Sequence, residues 1–322
     1  MSHTVLVLGA GGRFGRAAVD AFRDAGCQVR AFRRSWQGVA VPAGVEPVAG
    51  NAFDAGVVSA AAAGCAVIVN ALNPPYPRWR QDLPHLTDSV IRAARASGAT
   101  VTLPSNVYNY GAGMPARLTE ETPQAPTTRK GRLRAEMEQT YAQAADDGVQ
   151  TIILRAGDFI ERQRTGNWFD SHIAAKVAQG RALYPGPLDR VHAWAYLPDM
   201  ARAMAALAAI RAQLARFETF GFAGYALTGR ELIDAMERAA GQPLKVSGVP
   251  WPLFRLLGLV SPMLREVVEM AYLWRVPHTI DGNRLATTLP DFRPTPLDAA
   301  ITDALGATAP DAAPQQGLSQ PA

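Results

Sequence analysis

Directly after the first apolar run come Gly9-Ala10-Gly11-Gly12-Arg13-Phe14-Gly15, a stretch whose residue types and spacing suit the binding of a diphosphate. Gly9 permits a tight turn, Gly11 and Gly12 let the main chain approach an anion with no Cβ in the way, and Gly15 lets a following helix pack against a sheet. A helix opening at Arg13 would add unpaired N–H groups and the positive end of its dipole. The spacing is that of a dinucleotide-binding turn, and Gly9, Gly11, Gly12, Arg13, Phe14 and Gly15 are its expected cofactor contacts. The second strand ends in Ala31-Phe32-Arg33-Arg34-Ser35. An acid there would pair with ribose hydroxyls, whereas arginine accommodates a 2′-phosphate, so Arg33 and Arg34 favour NADP(H) over NAD(H). Arg13 is expected to add a second guanidinium to that phosphate. Gly50-Asn51-Ala52-Phe53-Asp54 follows the third strand and places Asn51 and Ala52 near an adenine, while Asp54 serves equally as a helix cap.

Other chemistries have little support. His3, His85, His172, His192 and His278 show no metal-ligand spacing, and neither a Gly-x-Ser-x-Gly elbow nor a phosphate-loop lysine is present. Cys27 and Cys65 lie in apolar stretches without Cys-x-x-Cys spacing, as expected of buried thiols in a reducing compartment. Of 32 basic residues only Lys130, Lys176 and Lys245 are lysines, and the basic residues are scattered, not striped. No nucleic-acid partner is therefore expected.

The elements that must position these residues alternate. Thr4 to Leu8 reads as a strand and Arg13 to Ala25 as a helix, followed by strands at Val29 to Phe32 and Val45 to Val48. Then come a helix at Asp54 to Ala63, a strand at Ala66 to Ala71, a helix at Pro84 to Ser97 and a strand at Ala99 to Leu103. A helix at Arg132 to Asp147 and a sixth strand at Gln150 to Leu154 complete the series. This is the rhythm of an α/β fold, a Rossmann-type doubly wound parallel sheet. After Arg155 the rhythm breaks, which divides the chain into a dinucleotide-binding domain (1–155), a smaller C-terminal substrate lobe (156–306) with some segments returning to the sheet, and a disordered tail (307–322). Pro198 to Ala212 is expected to be a helix, and Thr228-Gly229-Arg230-Glu231 has the spacing of a capping box.

With 322 residues, 48% hydrophobic and 19% charged, the chain can bury a large core, which excludes a disordered or fibrous protein. The first apolar run is too short for a signal peptide, so a cytoplasmic location is expected. Val249 to Trp274 is the most membrane-like segment, yet Arg255, Arg265, Glu266, Glu269 and three prolines interrupt it, so it reads as short helices and no membrane partner is expected. Tyr76, Trp79, Trp168, Phe169, Trp194 and Trp274 could wall an apolar pocket or simply pack.

These motifs together resemble the extended or atypical short-chain dehydrogenases/reductases, in the epimerase/dehydratase-like and NmrA-like group, over most of residues 4 to 305. The glycine turn matches the family fingerprint. Gly50-Asn51-Ala52-Phe53-Asp54 resembles its adenine-side segment with Asn51 in place of an acid. Val67 to Pro74 resembles the strand end that passes under the nicotinamide, which implies cofactor contacts from Ala71, Leu72 and Asn73. Ala195 to Ala201 resembles a family step in which the acid, here Asp199, caps a helix.

The departure from the family is chemical. Members that oxidise alcohols or epimerise sugars use a Tyr-x-x-x-Lys pair, whose lysine lowers the phenol pKa so that it can act as a base. Aligned on Glu136, those positions hold Thr128 and Arg132 here. Lys130-Gly131-Arg132-Leu133-Arg134 instead resembles the Lys-x-x-[Ile/Val]-Arg stretch of the isoflavone-reductase-like branch, and Leu103-Pro104-Ser105 that branch's Leu-Pro-Ser. The resemblance makes Lys130 the first catalytic candidate, with the alternatives that it binds ribose or faces solvent. It also gives Ser105 the role of polarising a substrate oxygen and Tyr108 or Tyr110 that of a displaced phenol. The implied activity is an NADP(H)-dependent reductase acting on a small, fairly apolar carbonyl or conjugated substrate. A non-catalytic NmrA-like NADP sensor and a nucleotide-sugar epimerase/dehydratase remain as alternatives, and a homodimer is left open.

Overall fold

A computed structural model of the chain describes residues 3–306. The expected tail, 307–322, lies outside the described residues. The first half runs β1 (Thr4–Leu8), α1 (Arg13–Asp24), β2 (Gln28–Arg33), β3 (Val45–Ala49), α2 (Ala55–Ala62), β4 (Val67–Asn70), α3 (Trp79–Ser97), β5 (Thr100–Ser105), the short β6 (Arg117–Leu118), α4 (Arg129–Asp146) and β7 (Thr151–Arg155). The second half runs β8 (Asp158–Ile160), β9 (Arg181–Tyr184), β10 (Val191–Tyr196), α5 (Leu197–Ala209), β11 (Phe217–Gly221), β12 (Tyr225–Thr228), α6 (Gly229–Ala240) and β13 (Lys245–Gly248). It ends with α7 (Trp251–Leu257), α8 (Pro262–Glu269), β14 (Thr279–Ile280), α9 (Asn283–Thr288) and α10 (Leu297–Gly306).

Seven parallel strands form the main sheet in the order β11-β7-β5-β4-β1-β2-β3. The order reverses beside β1, which places a crevice at the C-terminal ends of β1 and β4, where ligands bind in doubly wound folds. Alternation along β1 divides the core between two faces. Val5 and Val7 pack with α1 and α5, while Leu6 and Leu8 pack with α3 and α4. Strands so covered read as apolar runs, as β1 and β4 do.

A seventh strand, β11, joins the six read from the sequence and comes from beyond residue 155. Two sequence expectations are corrected here. Helix α3 begins at Trp79, five residues before Pro84, because Trp79 is buried and its indole Nε1 donates to Pro74 O at 2.8 Å, a local anchor that offsets the hydrogen bond a proline cannot make. Helix α4 begins at Arg129 instead of Arg132, since the Thr128 hydroxyl accepts from Gly131 N at 3.0 Å and caps it.

Outside the main sheet lie a three-stranded sheet, β12-β10-β8, and the pairs β13-β9 and β14-β6. Through β6, a segment that precedes α4 in the chain pairs with one near the C-terminus. Thr228 and Glu231 form the expected capping box of α6. Asp199 does not cap α5. It is buried and accepts from Thr295 N at 2.5 Å and Thr295 Oγ1 at 2.8 Å, tying the helix to the C-terminal segment.

Candidate active site

The glycine turn has the form its sequence requires. Gly9 adopts a left-handed φ of 75°, and a Cβ on it would lie 2.8 Å from Ala71 O, so only glycine lets β1 turn against the end of β4. A Cβ on Gly15 would collide with Gly9 O. Gly12 precedes α1 without a side-chain cap, and the first turn carries no acid. The opening N–H groups of α1 have no partner within the helix, and the dipole's positive end is unopposed, as an anion cradle needs. Phe14 is buried beneath the turn and packs it on the core.

Arg33 lies over this turn. Its guanidinium carbon is 3.4 Å from where a Cβ on Gly11 would stand and 5.1 Å from the centre of the Trp36 ring. Arg34 is exposed. Arg13 Nε donates to Thr165 Oγ1 at 2.7 Å and lies 3.0 Å from Glu161 Oε1, so its guanidinium joins the glycine turn to the segment after β8. Thr165 and Asn167 both donate to the same Glu161 oxygen, and burial pushes the Glu161 carboxyl above its ordinary pKa despite these partners. Asn51 is exposed and its side chain accepts from Phe53 N at 3.1 Å, forming a turn after β3, while Ala52 is buried beside it. Asp54 caps α2 by accepting from Gly56 N and Val57 N.

From Ala71 the chain leads into the second chemical neighbourhood. Ala71 and Leu72 are half-buried, and Leu72 N donates to Asn70 Oδ1 at 3.2 Å. Asn73 Oδ1 accepts from Arg134 Nη2 at 3.2 Å, and the Arg134 guanidinium sits 4.6 Å from the centre of the Trp79 ring. Trp79 in turn meets Tyr76 edge-on at 5.0 Å and Tyr108 at 6.4 Å. The phenol oxygens of Tyr76 and Tyr108 are 3.0 Å apart. Burial pushes both phenols above their ordinary pKa, Tyr108 the further. Both therefore keep their protons across the physiological range. Tyr76 was legible in the sequence only as a wall residue, because its partner lies 32 positions away.

Lys130 neither faces solvent nor presents a free ammonium. It is 1% exposed, and its Nζ donates to Glu266 O at 3.0 Å, to Glu269 Oε2 at 2.6 Å and to Glu266 Oε2. An ammonium has three N–H groups, and three acceptors engage them. Its position is nonetheless close to the phenols, with Nζ 5.1 Å from the centre of the Tyr76 ring. Burial alone would raise the Glu269 carboxyl, but Lys130 and Arg129 together outweigh it and hold that carboxyl below its ordinary range.

The register of α4 is corrected as well. Thr128 is a cap and Arg132 is exposed, so neither faces the site. The inward-facing residues four apart are Lys130 and Arg134, which carry the spacing of the family's Tyr-x-x-x-Lys pair with two cations and no phenol.

Ser105 is spent on structure in a similar way. Its hydroxyl donates to Glu138 Oε1 and accepts from Arg155 Nη1 at 3.0 Å, and Arg155 Nη2 donates to Glu138 Oε2 at 2.7 Å. Gln124 Nε2 also donates to Glu138 Oε2, at 2.8 Å. Burial would raise the Glu138 carboxyl, yet Arg155 and these donors hold it below its ordinary range.

The expected aromatic wall is mostly core. Trp79, Phe169, Trp194 and Trp274 are buried, and Trp274 packs on Trp168 at 5.3 Å, on Tyr184 at 5.8 Å and in parallel with His192 at 4.4 Å. His192 Nε2 lies 2.8 Å from Asp158 Oδ2. His278 donates from Nδ1 to Val276 O at 2.9 Å, and burial, with His192 beside it, lowers its pKa to about 4, so it is neutral near pH 7.

Residues 9–177 match the model of a family described as NAD(P)H-binding. No curated protein matches the sequence at a significant level. Among solved structures the chain is similar to MoeE5 in complex with UDP-glucose and NAD, with a TM-score of 0.74 and 19% identity over 95% of this chain and 98% of that one. It is also similar to the UDP-glucose 4-epimerase from Bifidobacterium longum in complex with NAD+ and UDP (TM-score 0.72, 16% identity, 95% and 98% covered). A third is the UDP-Glc/GlcNAc 4-epimerase from Campylobacter jejuni (TM-score 0.70, 16% identity, 95% and 99% covered). At these identities the likeness is one of fold, and at that level the expected resemblance to epimerase/dehydratase-like short-chain dehydrogenases is met.

Proposed function

The chain belongs to the NAD(P)H-binding family, and from that premise we propose that it is an NADP(H)-dependent reductase of a small, fairly apolar carbonyl or conjugated substrate. The glycine turn would hold the diphosphate, with Gly9, Gly11, Gly12 and Gly15 keeping the main chain bare and α1 supplying its N–H groups. Arg33, with Arg34 beside it and no acid at the end of β2, would receive a 2′-phosphate. Ala71 and Leu72, whose main chain abuts Gly9, and Asn73 after them would border the nicotinamide. When bound, the reduced dinucleotide supplies a hydride.

The observation that carries the reading is the protonated phenol pair, formed where the segment that leaves β4 past Gly9 meets the loop after β5. Tyr108 would donate the proton that the reduced substrate takes up, Tyr76, 3.0 Å from it, would pass its own proton to Tyr108, and solvent would restore the proton to Tyr76. Phenols that keep their protons have one to give and cannot begin as bases, and the alkoxide left by hydride addition is basic enough to take it, which suits reduction better than alcohol oxidation. Lys130 acts as a positioning residue by holding α8 against Tyr76, and the Glu138–Arg155 pair positions the loop between Ser105 and Tyr108. The absence of a Tyr-x-x-x-Lys pair argues against epimerisation, which needs a base to begin.

One observation favours a second reading, an NADP-binding sensor without turnover: Lys130 and Ser105 both spend their polar groups on protein partners. The two readings separate when purified protein is titrated calorimetrically with NADPH and then mixed with NADPH and a panel of aldehydes, ketones and enones. Loss of reduced-nicotinamide absorbance that depends on Tyr108 supports the reductase. Tight binding with no turnover across the panel supports the sensor, and a flat titration overturns both.

A further inference from the structure

Ten large apolar residues are exposed in the described chain, and six of them, Leu253, Leu256, Leu257, Leu259, Val260 and Met263, fall within the hairpin formed by α7 and α8. Leu259 and Val260, at its tip, are 72% and 83% exposed. The crowding matters, because single exposed apolar residues are ordinary whereas a contiguous patch marks an interaction surface.

The charge along this stretch of chain has one sign. No acid occurs between Glu237 and Glu266, while Arg238, Lys245, Arg255 and Arg265 do, and Arg275 follows. Arg255, Arg265 and Arg275 are exposed. The hairpin's two carboxylates are turned inward, where Glu266 and Glu269 engage Lys130 and Arg129. Its base is equally fixed, since the buried Trp251 donates from Nε1 to Pro185 O at 2.7 Å and α8 packs against the turn that carries Tyr76. Arg265 braces the tip by donating from Nε to Gly258 O at 3.2 Å. The hairpin thus presents an anchored inner face and an outer face of leucine, valine, methionine and arginine.

Against the sequence expectation of no membrane partner, we propose that this outer face docks on an anionic lipid bilayer. Neither helix is long enough to span one, and among the described residues no helix is long and apolar enough to cross a membrane. The hairpin would lie in the interfacial plane, with Leu256, Leu259 and Val260 at the acyl boundary and Arg255 and Arg265 among the phosphates. A second copy of the chain fits less well, because a self-complementary contact would bring Arg255 and Arg265 toward their own images with no exposed carboxylate on the patch to receive them. The proposal does not depend on the dinucleotide reading.

The test is co-sedimentation of the full chain with vesicles of phosphatidylcholine alone or mixed with phosphatidylglycerol. Binding is expected to the anionic vesicles and to weaken as salt rises. The doubly charged variant Leu259→Glu, Val260→Glu, at positions too exposed to matter for folding, should bind at least about tenfold more weakly. Arg255→Ala alone should bind roughly fivefold more weakly. No sedimentation with either vesicle overturns the proposal, as does undiminished binding of the double variant. So does a wild-type dimer that the double variant converts to a monomer by light scattering, because the patch would then be a contact between copies.

Discussion

Lys130 reaches Glu269 across the boundary between the two lobes, with Nζ 2.6 Å from Oε2, and the same ammonium also holds Glu266. A cation placed for proton transfer would keep an N–H toward the reacting group. This one instead clamps α8 onto the first turn of α4. Removing a partner from a buried ion cluster leaves uncompensated charge, so Lys130→Ala should destabilise the fold by about 3–5 kcal/mol in urea denaturation. Unchanged stability with abolished turnover would return Lys130 to the chemistry.

The Tyr76–Tyr108 contact makes a sharper demand on turnover than on stability. Losing one phenol hydrogen bond should cost about 1 kcal/mol of stability. Losing a general acid should lower kcat by about 100-fold or more. Tyr108→Phe is expected to show the full kinetic loss, and Tyr76→Phe a smaller one, in steady-state assays on any substrate the NADPH panel yields. Equal and unimpaired kcat in both variants would remove the phenols from the mechanism.

Arg33 tests cofactor choice. A charge-assisted contact to a phosphate contributes about 1.5–3 kcal/mol, so Arg33→Ala should weaken NADPH binding by roughly 10- to 100-fold while leaving NADH affinity nearly unchanged. Calorimetry with both coenzymes measures the difference directly. A parallel loss for both would mean that Arg33 supports the glycine turn and does not read the 2′ position.

The acid limb of stability should report Glu138 and Glu269. Both carboxyls have folded pKa values below their unfolded ones, held down by Arg155 and Lys130 respectively. The stability they contribute is therefore present above the unfolded glutamate value of about 4.3 and is lost as pH falls through the folded values. Thermal melts should be flat in this contribution near neutrality and should fall steeply under acid. Glu138→Gln is expected to lower the neutral plateau and flatten that limb. An acid limb of unchanged slope would show that the buried network is not what titrates.

Much of the scaffold is readable residue by residue because its causes are local. Thr4 to Leu8 is a strand at the expected bounds, and Gly98, with a left-handed φ of 71°, ends α3 where the glycine signal puts it. The capping box at Thr228 and the cap at Asp54 depend on neighbours two or three positions away. Signals failed where a local rule met a distant contact. Pro84 marks a helix start in isolation, but burial of Trp79 moves that start earlier, and β11 carries too little local pattern to be recognised before its pairing with β7 is seen.

The glycine turn, the arginines that end β2 and the absence of a Tyr-x-x-x-Lys pair are properties of the sequence itself, because each depends on residue type at short spacing. The disposition of the chemistry was decided only by the tertiary structure. Ser105 and Lys130 look alike as candidates when their neighbours are read, yet each is engaged by carboxylates 33 to 139 positions away, while Tyr76 and Tyr108 meet across 32. Which polar groups are consumed and which stay available is set by long-range packing, of α4 and β7 against the end of β5 for Ser105 and of α8 against α4 for Lys130, which brings together residues that no local spacing relates.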